Sequence, residues 1–353
     1  MFTRIQAIRE RLQDGEAVLI SNPANRFYLT GFHSSAGTLF ITQDRACFLI
    51  DFRYFEKAKK QIKHCEVLLS NRISAQLKEL ASNSKTIYLE TSFVSLDQFK
   101  NYQNIFMGKT VSPEDRLDHE IKKLRSVKSK FEIAHIKKAQ KITDDTFSYI
   151  LNRIKPGKTE IEIMLDMEFY LRKQGSEGVS FDFIVVAGKN SSLPHGVPGN
   201  NVIRSGDFVT MDFGAVVNGY RSDMTRTVAV GSVNDHQREI YNTVLAAQTR
   251  AFEAIHPGVC CKAVDQAARS FIYSSGYEGC FGHGLGHSVG IDIHEGPSFN
   301  TVDETVLQPG MVLTVEPGIY LENQFGVRIE DMVCITDNGF DNLTASSKDL
   351  IIL

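Results

Sequence analysis

Ile-Lys-Pro-Gly-Lys-Thr-Glu-Ile-Glu-Ile-Met-Leu-Asp-Met-Glu-Phe-Tyr-Leu-Arg-Lys-Gln-Gly-Ser-Glu-Gly, residues 154–178, lies over residues 255–279 without a gap. Ile154 matches Ile255, Pro156 matches Pro257, Gly157 matches Gly258, Gly175 matches Gly276, Glu177 matches Glu278 and Gly178 matches Gly279. Further on, Gly206 to Gly214 (Gly-Asp-Phe-Val-Thr-Met-Asp-Phe-Gly) parallels Gly310 to Gly318 (Gly-Met-Val-Leu-Thr-Val-Glu-Pro-Gly). A helix, a Pro-Gly turn, a second helix, a glycine and then strands therefore occur twice. Repetition on this scale implies two half-domains related by a pseudo-two-fold axis, with a cleft between them.

Each half ends in strands that carry acids. Asp212 sits two residues after Thr210, and Asp223 follows in Arg221-Ser222-Asp223-Met224-Thr225. Glu316 sits two residues after Thr314, and Glu330 follows in Arg328-Ile329-Glu330-Asp331. Period-two alternation places Thr210 with Asp212, Arg221 with Asp223, Thr314 with Glu316 and Arg328 with Glu330 on common faces, and turns Val209, Met211, Phe213, Leu313 and Val315 the other way. Four acids gathered by a two-fold repel one another, and Arg221 and Arg328 offset only part of that. Two divalent cations balance four carboxylates, with one imidazole completing the set. Mostly oxygen ligands with one nitrogen suit manganese or cobalt, without separating them from zinc or iron. Such a pair can bridge a hydroxide and hold both the nucleophile and the carbonyl oxygen of a scissile amide. Plain salt bridges between half-domains leave the duplicated placement unexplained.

The imidazole comes from Gly282 to Glu295, Gly-His-Gly-Leu-Gly-His-Ser-Val-Gly-Ile-Asp-Ile-His-Glu, which carries His283, His287 and His294 among four glycines. Interleaved glycines disfavour a regular helix and favour a hinged strand or loop that lets imidazoles approach a ligand closely. Spacing alone permits His283 or His287 as the ligand.

The 353 residues suit two domains, with 42% hydrophobic and 23% charged residues and a formal net charge of −3. Nothing here points to nucleic acid or an anionic membrane as partner. None of the six cysteines, Cys47, Cys65, Cys260, Cys261, Cys280 and Cys334, is in Cys-x-x-Cys spacing, so reduced thiols in the cytoplasm are expected rather than a thiolate zinc site. The N-terminus reads as an amphipathic helix with Ile5, Ile8 and Leu12 inward, not as a signal peptide, and no apolar run approaches membrane-spanning length.

Residues 1 to about 118 alternate helical patterns with short apolar runs, Ala17–Ser21, Thr38–Ile41, Cys47–Ile50, Glu66–Ser70 and Thr86–Glu90, and read as a small α/β domain. Within it, Asn22 to Phe32 (Asn-Pro-Ala-Asn-Arg-Phe-Tyr-Leu-Thr-Gly-Phe) reads most simply as turn residues entering a strand. Charged residues between Ser112 and Ser129 mark a boundary, giving domains of 1–120 and 121–353. From Glu132 a helix begins, with Ile133, Ile136, Ala139 and Ile142 in register, and it stops at Lys155-Pro156-Gly157.

Taken together these residues resemble the pita-bread metallopeptidase family, which contains aminopeptidase P, prolidase and methionine aminopeptidase. The resemblance implies an α+β chain: a C-terminal pita-bread fold of duplicated ααββ halves around an antiparallel sheet, preceded by a smaller creatinase-like α/β domain. It implies that Asp212, Asp223, His287, Glu316 and Glu330 bind two divalent metal ions, Mn2+ by preference with Co2+ or Zn2+ as alternatives. His195 (in Ser192-Leu193-Pro194-His195-Gly196) and His294 then support catalysis and touch substrate, Glu316 doubles as proton shuttle, and His283 and Arg328 bind substrate. The Asn-Arg-Phe-Tyr-Leu-Thr-Gly-Phe phrase and Leu124 to Ser129 (Leu-Arg-Ser-Val-Lys-Ser) resemble the proline-selective branch, implying a homodimeric cytoplasmic peptidase acting on peptides with proline second. Methionine removal, creatinase-like amidine hydrolysis and a catalytically silent peptide-binding module are the rival readings. The intact ligand set argues against the two metal-free ones.

Overall fold

A computed structural model describes residues 4–353. The chain parts into two compact units, Met1–Arg125 and Ser126–Leu353. A division after residue 120 cuts helix α6 (Arg116–Ser126), so the units separate at that helix's last turn instead.

In the first unit the alternating apolar runs become β1 (Glu16–Ile20), β2 (Thr38–Thr42), β3 (Ala46–Ile50), β4 (Glu66–Leu69) and β5 (Thr86–Leu89), with the short β6 (Thr110–Ser112) added. They form one mixed sheet in the order β4-β3-β2-β1-β5-β6. Helices α1 (Arg4–Arg9), α2 (Pro23–Thr30), α3 (Phe52–Gln61), α4 (Ile73–Leu80) and α5 (Leu96–Ile105) accompany it. Ile5, Ile8 and Leu12 are buried. The stretch after Asn22 is the helix α2, not a strand entry. Asn22 Oδ1 accepts from Ala24 N and Asn25 N, Pro23 occupies the first turn, and Gly31 ends the helix at φ 68°. These local caps outweigh the strand preference of the aromatic run.

The second unit carries the repeat. Its first half runs α7 (Lys130–Ile150), α8 (Glu160–Lys173), β7 (Ile184–Ala187), β8 (Phe208–Phe213), the hairpin β9 (Val216–Val217) and β10 (Tyr220–Arg221), then β11 (Met224–Ala229). Its second runs α9 (Asp235–Ala254), α10 (Cys261–Ile272), β12 (Gly286–Ser288), β13 (Glu295–Phe299), β14 (Val312–Val315), the hairpin β15 (Gly318–Leu321) and β16 (Phe325–Arg328), then β17 (Asp331–Thr336) and β18 (Gly339–Asn342). Helices α7, α8 and α9 each begin with a reciprocal cap, Ser129 with Glu132, Thr159 with Glu162 and Asn234 with Gln237.

The two larger sheets of this unit are antiparallel, ordered β11-β8-β7 and β13-β12-β14-β17-β18. Val209, Met211 and Phe213 are fully buried with Ile163, Met167 and Leu171 of α8, and Leu313 and Val315 with Val264 and Ala268 of α10. Each half thus commits one strand face to its helices and leaves the other for Thr210, Asp212 and Thr314. The halves join where Glu330 N donates to Thr225 O at 3.1 Å. No helix among the described residues is long and apolar enough to cross a membrane.

Candidate metal centre

Asp212 lies inside β8, in register with Thr225 of β11 and Ile184 of β7. Asp223 and Glu330 are not strand residues. Each occupies a two-residue break, Asp223 between β10 and β11 and Glu330 between β16 and β17. The expected alternation along one continuous strand therefore fails at both places, because the chain leaves the hairpin there to enter the main sheet. The breaks turn both carboxylates inward: ligand atoms of Asp212, Asp223 and Glu330 all lie within 4.8 Å of one another.

Glu316 follows β14, and His287 sits in the middle of β12. His287 Nε2 is 3.6 Å from Asp223 Oδ2 and 3.5 Å from Glu316 Oε1. Two threonines support the set. Thr314 Oγ1 accepts from His287 N at 3.0 Å and donates to Glu316 Oε1 at 3.1 Å. Thr225 Oγ1 accepts from Arg328 Nε at 3.0 Å and donates to Glu330 Oε2 at 2.7 Å. A side chain at Gly286 would bring its Cβ within 2.0 Å of Thr314 O, so the glycine before His287 is what lets β12 approach β14.

Asp212 Oδ1, Asp223 Oδ1 and Glu330 Oε1 are buried with no hydrogen-bond partner. Desolvation first, then the neighbouring carboxylates, push Asp223 and Glu330 well above the usual carboxylate range. Burial raises Glu316 to about 8, against the pull of Arg328. Burial likewise depresses His287 to about 4, leaving a neutral imidazole. Three orphaned carboxylate oxygens converging beside a neutral imidazole are the donor set a hard divalent cation requires. The residues present fit such an ion.

Arg328 faces the cluster, with Nη2 2.6 Å from Asp212 Oδ2. Arg221 does not: it donates to the carbonyls of Ile291 and Ser180, so the sequence-based pairing of Arg221 with the acids is corrected. Its backbone partners outcompete a cluster that one guanidinium already serves. A cavity of about 900 Å³ opens over the acids, and His195, His283, His287 and His294 all line it. His195 and His294 are exposed. The His287 and His294 rings meet edge to face at 4.5 Å. His283 is held by its ring, Nε2 lying 3.0 Å from Tyr320 Oη, and burial lowers it to about 4.

Tyr320 was not legible as a site residue. Its hydroxyl stands between His283 and Arg328, accepting from Arg328 Nη1 at 2.7 Å, and burial pushes its pKa up to about 12. Thr225, inside the phrase around Asp223, and Thr314, two residues before Glu316, were within reach of the same alternation that found the acids.

Residues 134–337 match the model of metallopeptidase family M24, and residues 4–127 match the creatinase/prolidase N-terminal domain. The chain is 40% identical over 339 residues to a Xaa-Pro dipeptidase of Pyrococcus furiosus, covering 95% of each. Its structure is similar to that of a Xaa-Pro dipeptidase from Bacillus anthracis, with a TM-score of 0.94 at 39% identity and 99% of both chains covered. It is also similar to that of an X-Pro aminopeptidase from Thermotoga maritima, with a TM-score of 0.91 at 37% identity, covering 98% of this chain and 100% of that one. Duplicated halves, a converging acid cluster with its histidine, and likeness along nearly the whole length agree: the chain belongs to metallopeptidase family M24, with the pita-bread fold in its second unit and a creatinase/prolidase-type domain before it.

Proposed function

We propose that this chain is a metal-dependent peptidase that cuts the bond between an N-terminal residue and a following proline. What carries the reading is the group of buried, unpartnered oxygens on Asp212, Asp223 and Glu330, in a chain whose relatives bear the names of Xaa-Pro peptidases. With His287 and Glu316, these residues would hold two divalent ions. The oxygen-rich set favours manganese, with cobalt or zinc as substitutes. When bound, the ions supply an acidified water and a Lewis acid for the scissile carbonyl.

The chain's own groups do the rest. Arg328 holds Asp212 Oδ2 and keeps it turned to the cluster. Glu316, beside His287, accepts a proton from the attacking water at its carboxylate and delivers it to the proline nitrogen, which leaves as a secondary amine. His195 and His294, exposed on the cavity wall, donate N–H groups to the oxyanion and to the peptide beside the bond. His283 and Arg328 line the cavity for the rest of the substrate.

Six cysteines without disulfides suit the reducing cytoplasm, which we propose as its location. We also propose a homodimer paired through the first unit, on which Phe52 and Met107 stand more than four-fifths exposed. The activity is tested by loading chelator-stripped protein with manganese and assaying a peptide with proline second beside the same peptide with alanine there. Cleavage of the proline peptide alone, lost again on chelation, is expected. Equal cleavage of both would defeat the proline reading.

A further inference from the structure

The cavity wall is unbalanced in charge. With the four acids of the centre balanced by metal, it still carries Glu168 and Asp182, and Arg328 is the only lysine or arginine on it among the described residues. That guanidinium is already committed. Nε donates to Thr225 Oγ1, Nη1 to Tyr320 Oη and to Pro194 O, and Nη2 to Asp212 Oδ2, which uses four of the five N–H groups an arginine has. Only one N–H is left over, so bidentate capture of a further carboxylate would break one of these bonds. His283, driven towards the neutral form, brings no countercharge.

A Xaa-Pro dipeptide and a longer peptide differ at one point. On the proline the dipeptide carries a carboxylate, where the longer chain carries a neutral amide. Taking that carboxylate out of water beside Glu168 and Asp182 is costly without a cation to meet it, whereas an amide needs only neutral donors and acceptors. Ser298 and Asn300 provide such groups on the same wall. A volume of about 900 Å³ is also near the upper end for a small-molecule pocket and leaves room beyond the proline.

Resting on the Xaa-Pro reading above, we infer that this site is built for peptides that continue past the proline, and that a free carboxylate on the proline is selected against. The chain is then an aminopeptidase on Xaa-Pro-Yaa and longer peptides before it is a dipeptidase. The reaction is the same for both: the water oxygen joins the carbonyl carbon, the C–N bond to proline breaks, and the proline nitrogen takes the proton.

The test uses full-length, manganese-loaded protein and three substrates with one first residue: Ala-Pro, Ala-Pro amide and Ala-Pro-Ala. The amide isolates charge from length. Both substrates without a carboxylate on the proline are expected to exceed the dipeptide in kcat/KM by about tenfold or more. A dipeptide as good as both overturns the inference, and so does a fast tripeptide beside an amide as slow as the dipeptide, since length would then be the cause. Failure to cleave any of the three defeats the parent reading instead.

Discussion

Lys128 and Glu295 form an ion pair, Nζ to Oε2 3.3 Å, with their side chains 1% and 6% exposed. The same ammonium donates to Ser288 Oγ at 2.6 Å. One buried lysine thus ties the residue after His287 to the residue after His294, and so fixes β12 and the start of β13, where the two histidine rings meet. Removing one partner of a buried pair costs about 3–5 kcal/mol, so Lys128→Met should lower the melting temperature sharply. Adding Glu295→Gln to it should restore most of the stability but not the turnover, with metal content unchanged. A double variant with full activity would show the pair to be scaffolding only.

Glu160 plays a similar part for the loop that bears His195. It is fully buried and accepts from Ala187 N, Asn190 Nδ2, Gly199 N and Asn201 Nδ2 at 2.8 to 3.2 Å, which brackets residues 188–198 on both sides. Hydrogen bonds to a charged group contribute about 1.5–3 kcal/mol each. Glu160→Ala should therefore destabilise the protein and lower kcat by more than it changes metal content. Thermal unfolding, metal analysis and steady-state kinetics on one preparation check this, and unchanged kcat in a destabilised variant would contradict it.

Metal-free protein should weaken as the medium becomes alkaline. Asp223 and Glu330 are raised well above their unfolded values and Glu316 to about 8, so the folded state binds more protons than the unfolded one. Stability from a raised group is complete below the unfolded pKa and is lost as pH rises through the folded one. His283 and His287, lowered to about 4, work oppositely, but only below their unfolded value of about 6.5. The net loss should show from about pH 6.5 to 8 and disappear on metal loading, which should also release protons. Melting curves across that range, with and without manganese, measure it. A metal-free protein no less stable at pH 8 than at pH 6.5 would rule this out.

The histidines should separate by readout. His287→Ala is expected to empty the site, because it removes a ligand. His195→Ala and His294→Ala should keep the metal and lose rate by a hundred- to thousandfold, about 2.7–4 kcal/mol, as for other oxyanion donors. Metal retained in His287→Ala but lost in His283→Ala would reverse the ligand assignment that spacing alone left open.

The repeat was legible because it is written in glycines that must turn. Gly157 and Gly258 have φ of 92° and 93°, Gly175 and Gly276 99° and 94°, and Gly206 and Gly310 both 92°. Side chains other than glycine are strained there, so conformation and letter repeat together. The acids were legible for a related reason, since charge on an apolar strand calls for a partner. Helix α2 was misread because aromatic content suggested a strand while Asn22, Pro23 and Gly31 supplied both caps. Arg221 was misplaced because alternation ignores the break after it. Lys128 and Glu160 act through contacts 27 to 167 residues away in sequence, and Tyr320 meets His283 37 residues away, which no local pattern records.

If the carboxylate cluster holds the metal that does the chemistry, metal content and turnover must rise and fall together. Titrating chelator-stripped protein with manganese, while following both bound metal and hydrolysis of a Xaa-Pro-Yaa peptide, tests it most directly in wild type beside Asp223→Ala and Glu330→Ala. Wild type should be inactive when stripped and recover as about two equivalents bind, while both variants, still folded in the first unit, should bind little and stay inactive. Undiminished hydrolysis by stripped wild type, or wild-type recovery in either variant, would contradict the account.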